Sequence, residues 1–284
     1  VKQLHSQGFA HGDIKSENFL VTSWNWVFLS DISFFFKPTY IAEGDMTAYK
    51  CFFTRSKLEK CNLAPERFIA KEKVVEGGEV AFSMDIFSLG CVIAELFQEG
   101  IATFTLAQLL AYRRGENSLD NVLSGVPDPQ IKELLKKMLA LNPFGRIDIQ
   151  AVEETFKTEI IPKTTQEVLY PFVKRVVQTR DLATADSRIY YVASNLKELK
   201  ERVENYQELS ILTPLLASSI RNTKVPSSRL KAVECLKELG VLLPDLTKLH
   251  YILPYLVAIL TTKEERYHVK VAAFKATLEI LNKI

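Results

Sequence analysis

The run His11 to Asn18, HGDIKSEN, constrains this chain more than any other stretch. Lys15 follows Asp13 by two positions, Asn18 follows it by five, and a second aspartate, Asp31, lies thirteen beyond Asn18. Phe19 to Thr22 reads as a short apolar strand, Ser23 to Asn25 as a turn, and Trp26 to Ser30 as the returning strand. Such a hairpin carries Asp31 back to Asn18, so a lysine, an amide and two carboxylates converge.

This spacing resembles the catalytic loop and metal-binding aspartate of protein kinases. The resemblance implies roles. Asp13 takes the place of the catalytic base, and Lys15 that of the cation steadying the transferred phosphate. Asn18 and Asp31 fall where magnesium is held, and Leu20 where a side chain lies under the nucleotide base. His11 and Ile32 occupy structural positions, Ile32 as an apolar filler beside His11. Two positions depart from the pattern. Gly12 stands where an arginine usually receives an activation-segment phosphate, so phosphate on Thr54 or Ser56 is not expected to be a strong on-switch. Ser33 stands where a glycine usually allows a backbone flip.

Further landmarks follow in order. Phe34 to Leu63 reads as a long activation segment closed by Ala64-Pro65-Glu66. Glu66 is expected to pair with Arg146 in NPFGRI, because a buried charge without a partner is costly. Ser83 to Gly100 reads as a buried central helix, with Asp85 near its start placed to hold the catalytic loop from below. Phe104 to Arg114, Asp128 to Leu141 and Asp148 to Thr158 supply three more helices. Residues 1–160 therefore read as a kinase C-terminal lobe without its N-lobe.

Beyond Pro162 glycine disappears except at Gly240, and helical periodicity runs to the end. Leu212-Thr213-Pro214-Leu215-Leu216 resembles Leu253-Pro254-Tyr255-Leu256, and Leu230-Lys231-Ala232-Val233 resembles Val269-Lys270-Val271-Ala272. Helix pairs repeating at about forty residues are the HEAT/armadillo pattern, in which each pair must stack to bury its apolar face. Gln166 to Thr179 and Ser187 to Tyr206 read as a degenerate capping pair. The expected fold is mostly α: a kinase C-terminal lobe followed over 161–284 by an α-solenoid. With 47% hydrophobic residues the chain can build both cores, and a net charge of +2 gives no case for nucleic acid. Four scattered cysteines and four scattered histidines suggest neither a disulfide framework nor a zinc site. No apolar run reaches the roughly 18 residues a membrane span needs. The chain opens without methionine inside a helical pattern and is read as a fragment or an incomplete gene product.

HGDIKSENFLVTSWNWVFLSDIS, then FKPTY, FFTRS and APERF, are similar to the vacuolar protein sorting kinase family, the regulatory subunits of the class III phosphatidylinositol 3-kinase complex. The resemblance is dense over Leu4 to Phe68 and looser beyond. It implies ATP or another purine nucleotide with Mg2+, and serine/threonine as acceptor. It implies partnership with the lipid kinase's catalytic subunit and a Beclin-type subunit. The expected location is cytoplasmic and peripheral, on endosomal, vacuolar and autophagosomal membranes. Two readings stay open for the intact protein: a phosphoryl-transfer enzyme, and a nucleotide-binding scaffold that does no chemistry. A third reading, a pure HEAT interaction module with a vestigial lobe, would have been supported by loss of Asp13 or Asp31, and neither is lost. Without the N-lobe's glycine-rich loop and strand lysine, these residues alone are not expected to bind ATP tightly or transfer phosphate.

Overall fold

The computed structural model describes residues 1–32, 36–44, 46–53, 60–73, 78–263 and 265–284. Ser33, Thr54 and Ser56 lie outside the described residues. The chain divides into two compact units. The first holds 1–20 and 27–160, and the second holds 21–26 and 161–284. A linear division at residue 160 does not anticipate that residues 21–26, the SWNW run with the two residues before it, group with the second unit.

In the first unit, helix α1 (Lys2–Ser6) ends ahead of Gly8, whose φ of +82° suits a residue with no Cβ. Strands β1 (Phe19–Val21) and β2 (Val27–Leu29) form the hairpin, and β3 (Ile41–Ala42) pairs in parallel with β4 (Phe68–Ile69). Helix α2 (Thr47–Phe52) lies between them in sequence.

The central helix α3 (Phe82–Phe97) is mostly buried. It stops three residues earlier than its sequence pattern suggests, because Glu99 and Gly100 take left-handed backbone angles. Helix α4 (Leu106–Arg113) starts at Leu106 because Thr105 and Gln108 close a capping box. Phe104 is not helical. It is buried between Phe87 and Tyr112, with ring centroids 5.9 and 5.5 Å away. The short helix α5 (Leu119–Val122) has too few turns to show a periodicity.

Helices α6 (Pro129–Met138) and α7 (Ile149–Thr155) each start on an aspartate, Asp128 and Asp148, whose carboxylate accepts two backbone N–H groups. A π-helical turn, Phe156–Ile160, continues α7. At Gly90 of α3 an added Cβ would come within 3.0 Å of Leu139 and 3.1 Å of Met138, so a glycine there lets the C-terminal end of α6 approach closely.

The second unit contains α8 (Tyr170–Gln178), α9 (Ala185–Arg202), α10 (Leu212–Ile220), α11 (Pro226–Leu242), α12 (Asp245–Thr247), α13 (Leu253–Thr261) and α14 (Tyr267–Leu281). Three helices share one device. Pro171, Pro214 and Pro254 stand in the first turn of α8, α10 and α13. Each follows a π or 3-10 segment: Thr165–Leu169, Tyr206–Ile211 and Lys248–Ile252. Proline has no N–H to donate to the preceding turn, so the hydrogen-bond ladder changes register there. The shared kink likens α8 to α10 and α13.

Successive second helices pack side by side, α9 on α11 and α11 on α14. Leu196, Leu236, Leu239, Val269 and Ile280 lie in their common core. Lys200 and Glu238 tie α9 to α11 at 2.5 Å. Within this unit Trp24 lies under the Arg188 guanidinium, 5.1 Å from ring centre to charge, and Trp26 stacks on Tyr170 at 6.3 Å.

Candidate active site

The loop 9–18 has no regular structure until a 3-10 turn at Ser16–Asn18, so its shape depends on hydrogen bonds from outside itself. Asp85, in the first turn of α3, supplies the main anchor. Its buried carboxylate accepts the N–H of His11 at 2.6 Å and of Gly12 at 2.8 Å. It also meets His5 Nε2 at 2.9 Å, and the His5 ring stacks on Phe82. Gly12 has φ +78°, and an added Cβ would sit 3.2 Å from Val80, so a side chain here would be strained and crowded.

His11 fixes the hairpin to the loop. Its Nε2 bonds the Ser30 carbonyl at 2.9 Å, and its Nδ1 accepts the Asp13 N–H at 3.2 Å. One tautomer, protonated on Nε2, satisfies both contacts. The Ser30 N–H and hydroxyl both donate to the Asn18 carbonyl, at 2.8 and 3.0 Å. These bonds deliver the next residue, Asp31, beside the loop. Asp31 is in the left-handed region at φ 62°, uncommon for a residue with a Cβ and typical of positions the surroundings hold in place.

Asp13, Lys15, Asn18 and Asp31 are brought together. Asp13 is buried, with its Oδ2 2.9 Å from Lys15 Nζ. Asn18 donates its amide to the Asp13 carbonyl oxygen at 2.8 Å and to Oδ2 at 3.4 Å. Lys37, which the spacing argument did not single out, places its ammonium 2.5 Å from Asp13 Oδ2 and 3.3 Å from Asp31 Oδ2. A cation thus sits between the two carboxylates. That observation, with an all-oxygen set of donors, fits a hard divalent ion such as Mg2+.

One expectation changes. Ile32 does not fill an apolar slot beside His11. It is 51% exposed, because the left-handed turn at Asp31 takes the chain off the strand's alternation. Leu20 is 56% exposed on β1.

Glu66 and Arg146 meet in a two-pronged ion pair, at 2.5 and 2.7 Å. The Arg146 guanidinium also donates to the carbonyls of Ala140, Leu141 and Ser83, and lies over the Phe87 ring.

Arg67 was missed by the sequence reading, and it does more for the site. It is fully buried and donates to the carbonyls of Gly12 at 2.5 Å, Thr39 at 2.7 Å and Pro38 at 2.8 Å. Its guanidinium therefore ties the catalytic loop to the segment after Asp31. Burial lowers its pKa to about 10, against the opposing pull of Asp13 and Asp85, so it stays charged at neutral pH. The available signal was a basic residue directly after Glu66 in the APERF run.

A third lysine, Lys60, packs against the end of the loop. Lys60 Nζ lies 2.6 Å from Ser16 Oγ, 3.0 Å from Glu95 and 3.1 Å from Glu17. For the Glu17 carboxyl, burial acts upward. Its backbone hydrogen bond and Lys60 outweigh that and hold it below its ordinary value.

Comparison with known proteins agrees with this geometry. Residues 1–156 match the protein kinase domain model, and residues 212–284 match that of the PIK3R4-like middle domain. A serine/threonine-protein kinase VPS15 of Arabidopsis thaliana is 36% identical over 79% of this chain and 15% of its own length. The vps15 kinase of Schizosaccharomyces pombe is 38% identical over 65% of this chain and 11% of its own. A putative VPS15 kinase of Komagataella pastoris is 30% identical over 99% of this chain. The chain spans no more than about a quarter of the length of these relatives, 24% in the Komagataella case. A kinase signature loop held by Asp85, in a lobe followed by a PIK3R4-like helical region, makes this chain a member of the protein kinase family, in its VPS15 branch.

Proposed function

We propose that the intact protein transfers the terminal phosphate of ATP, or of another purine nucleotide, to serine or threonine. The observation that carries this reading is the convergence of Asp13 and Asp31 on one ammonium, with Lys15 on the same Asp13 oxygen. Asp13 would orient the acceptor hydroxyl and take its proton. Lys15 would offset charge on the phosphate in flight. Asn18 and Asp31 are the residues that would hold Mg2+, which when bound neutralises phosphate charge. Leu20, exposed on β1, is available to a nucleotide base.

The pairing of such a lobe with a PIK3R4-like middle domain supports the wider reading. In it the protein is a regulatory subunit of the class III phosphatidylinositol 3-kinase complex, acting in endosomal sorting and autophagy. It meets the lipid kinase's catalytic subunit and a Beclin-type subunit, and sits peripherally on endosomal, vacuolar and autophagosomal membranes. The helical pairs are read as HEAT repeats. The rival reading, a nucleotide-binding scaffold without phosphoryl transfer, draws on one feature. Asp13 already carries two ammonium partners, which compete with its use as a base.

Full-length protein separates the two. In the enzyme reading wild type phosphorylates a serine/threonine peptide, and Asp13→Ala abolishes this while sparing Mg2+-nucleotide binding. Asp31→Ala weakens that binding. Binding without any phosphorylation in wild type would leave the scaffold.

A further inference from the structure

We propose that Lys37 is a built-in counter-ion of Asp13 and of the metal-binding Asp31, which a divalent cation must displace from Asp31 before it can bind. The inference rests on the reading of Asp13 and Asp31 as the metal and phosphoryl-transfer site.

Lys37 is well placed for this. Its side chain is mostly buried, and its ammonium lies 2.5 Å from Asp13 Oδ2 and 3.3 Å from Asp31 Oδ2. Its backbone is held as well. The carbonyls of the next two residues, Pro38 and Thr39, both accept hydrogen bonds from Arg67, which also grips the Gly12 carbonyl. The lysine is thus delivered to the carboxylates by a segment clamped to the catalytic loop.

The local charge count shows the consequence. Asp13 and Asp31 contribute two negative charges, and Lys15 and Lys37 two positive ones. With Lys37 in place these four groups sum to zero, which weakens their pull on a divalent ion. With Lys37 removed they sum to minus one. The ammonium and the ion also compete for the Asp31 carboxylate. At separations of about 3–4 Å such a change outweighs most single hydrogen bonds. Lys37 therefore keeps the two carboxylates close and compensated without metal, and sets the metal concentration at which the site loads.

The test is Mn2+ alone, titrated into full-length protein and read by the electron paramagnetic resonance of the free ion. Lys37→Met is expected to bind at least about tenfold more tightly than wild type. Adding Asp31→Asn to that variant should remove the gain. If Lys37→Met binds no more tightly while Asp31→Asn weakens both forms, the carboxylates hold the ion but Lys37 does not compete, and only the present inference falls. If no form binds Mn2+ and Asp31→Asn changes nothing, the reading of the site falls with it.

A second measurement needs no variant. Mg2+ should raise the rate at which an amine-acylating reagent modifies Lys37 in wild type by several-fold, read by peptide mass spectrometry. An unchanged rate overturns the inference even if Lys37→Met does not fold.

Discussion

The two units of this chain are held together differently. The first is specified by buried charge. Asp85 holds His11 and Gly12, Arg67 holds three carbonyls, Arg146 holds Glu66, and Lys60 holds Glu95. The second is specified by apolar packing repeated along the chain, with its ion pairs mostly on the surface. The difference follows from the tasks. An irregular loop with converging carboxylates has no ladder of its own and must borrow hydrogen bonds from distant residues. A helix has its ladder already and needs only a partner face. Charge geometry should therefore be intolerant in the first unit, and volume should decide in the second.

The largest effect is expected at Asp85. Asp85→Ala leaves two backbone N–H groups and His5 without their acceptor in a dry site, a loss of about 3–5 kcal/mol. Urea unfolding should show the loss, and soluble yield should fall. A loss below about 1 kcal/mol would mean that the loop holds its shape without this anchor.

A pair of conservative changes then tests the comparison directly. Arg67→Lys keeps charge and length but cannot reach three carbonyls with one fork, so it should cost about 2–4 kcal/mol. Leu236→Met, at a fully buried position of α11, should cost less than about 1.5 kcal/mol because volume is kept. Equal costs in urea unfolding would erase the distinction between the units.

Much of this organisation was legible in sequence, for a physical reason. Asp13, Lys15 and Asn18 are fixed to one another by covalent spacing, and a tight hairpin carries that fixity on to Asp31. Pro214 and Pro254 marked a repeat because proline acts on its own backbone wherever it stands. What was not legible depends on residues distant in sequence. Lys37, Lys60 and Arg67 each look like ordinary surface charges until the fold closes over them. Pro171 was passed over because the sequence around it does not resemble the later copies, although its backbone effect is the same. Ile32 misled because its neighbour Asp31 leaves the strand conformation. Helix ends shifted where a cap decided them, as Thr105 did for α4.

The next effect lies in the helical unit and concerns Gly240, the one glycine there. Glycine inside a helix is normally a cost of about 1 kcal/mol, so Gly240→Ala on an open face would stabilise. Here an added Cβ would fall 2.5 Å from Ile280 Cδ1 and 2.7 Å from Cγ1, where α11 crosses α14. The sign should reverse, giving a loss of about 1–3 kcal/mol from overpacking. Ile280→Val in the same chain should recover part of it, and the shortfall from additivity in a double-mutant cycle measures the contact. A stabilised Gly240→Ala would show that volume does not govern this interface.

The smallest effect separates a charge built into the cleft from one on the surface. The Glu17 carboxyl is held below its ordinary value near 4.5 by its backbone hydrogen bond and Lys60, which outweigh partial burial. A lowered folded-state pKa gives stability that is present above the unfolded value. That stability is lost as pH falls through the folded value. Glu17→Gln should therefore be less stable than wild type at neutral pH, by under about 1 kcal/mol because the carboxylate is half in solvent. The gap should close as the solution is acidified well below 4.5. Glu238→Gln, which removes the partner of Lys200 in the helical unit, should also cost under about 1 kcal/mol, with most of that screened by salt. Urea midpoints at neutral and acidic pH, with and without added salt, distinguish the two cases. A Glu17→Gln gap that stays constant on acidification would mean that Lys60 holds its place through Glu95 and Ser16 alone, and that Glu17 is a bystander at the mouth of the cleft.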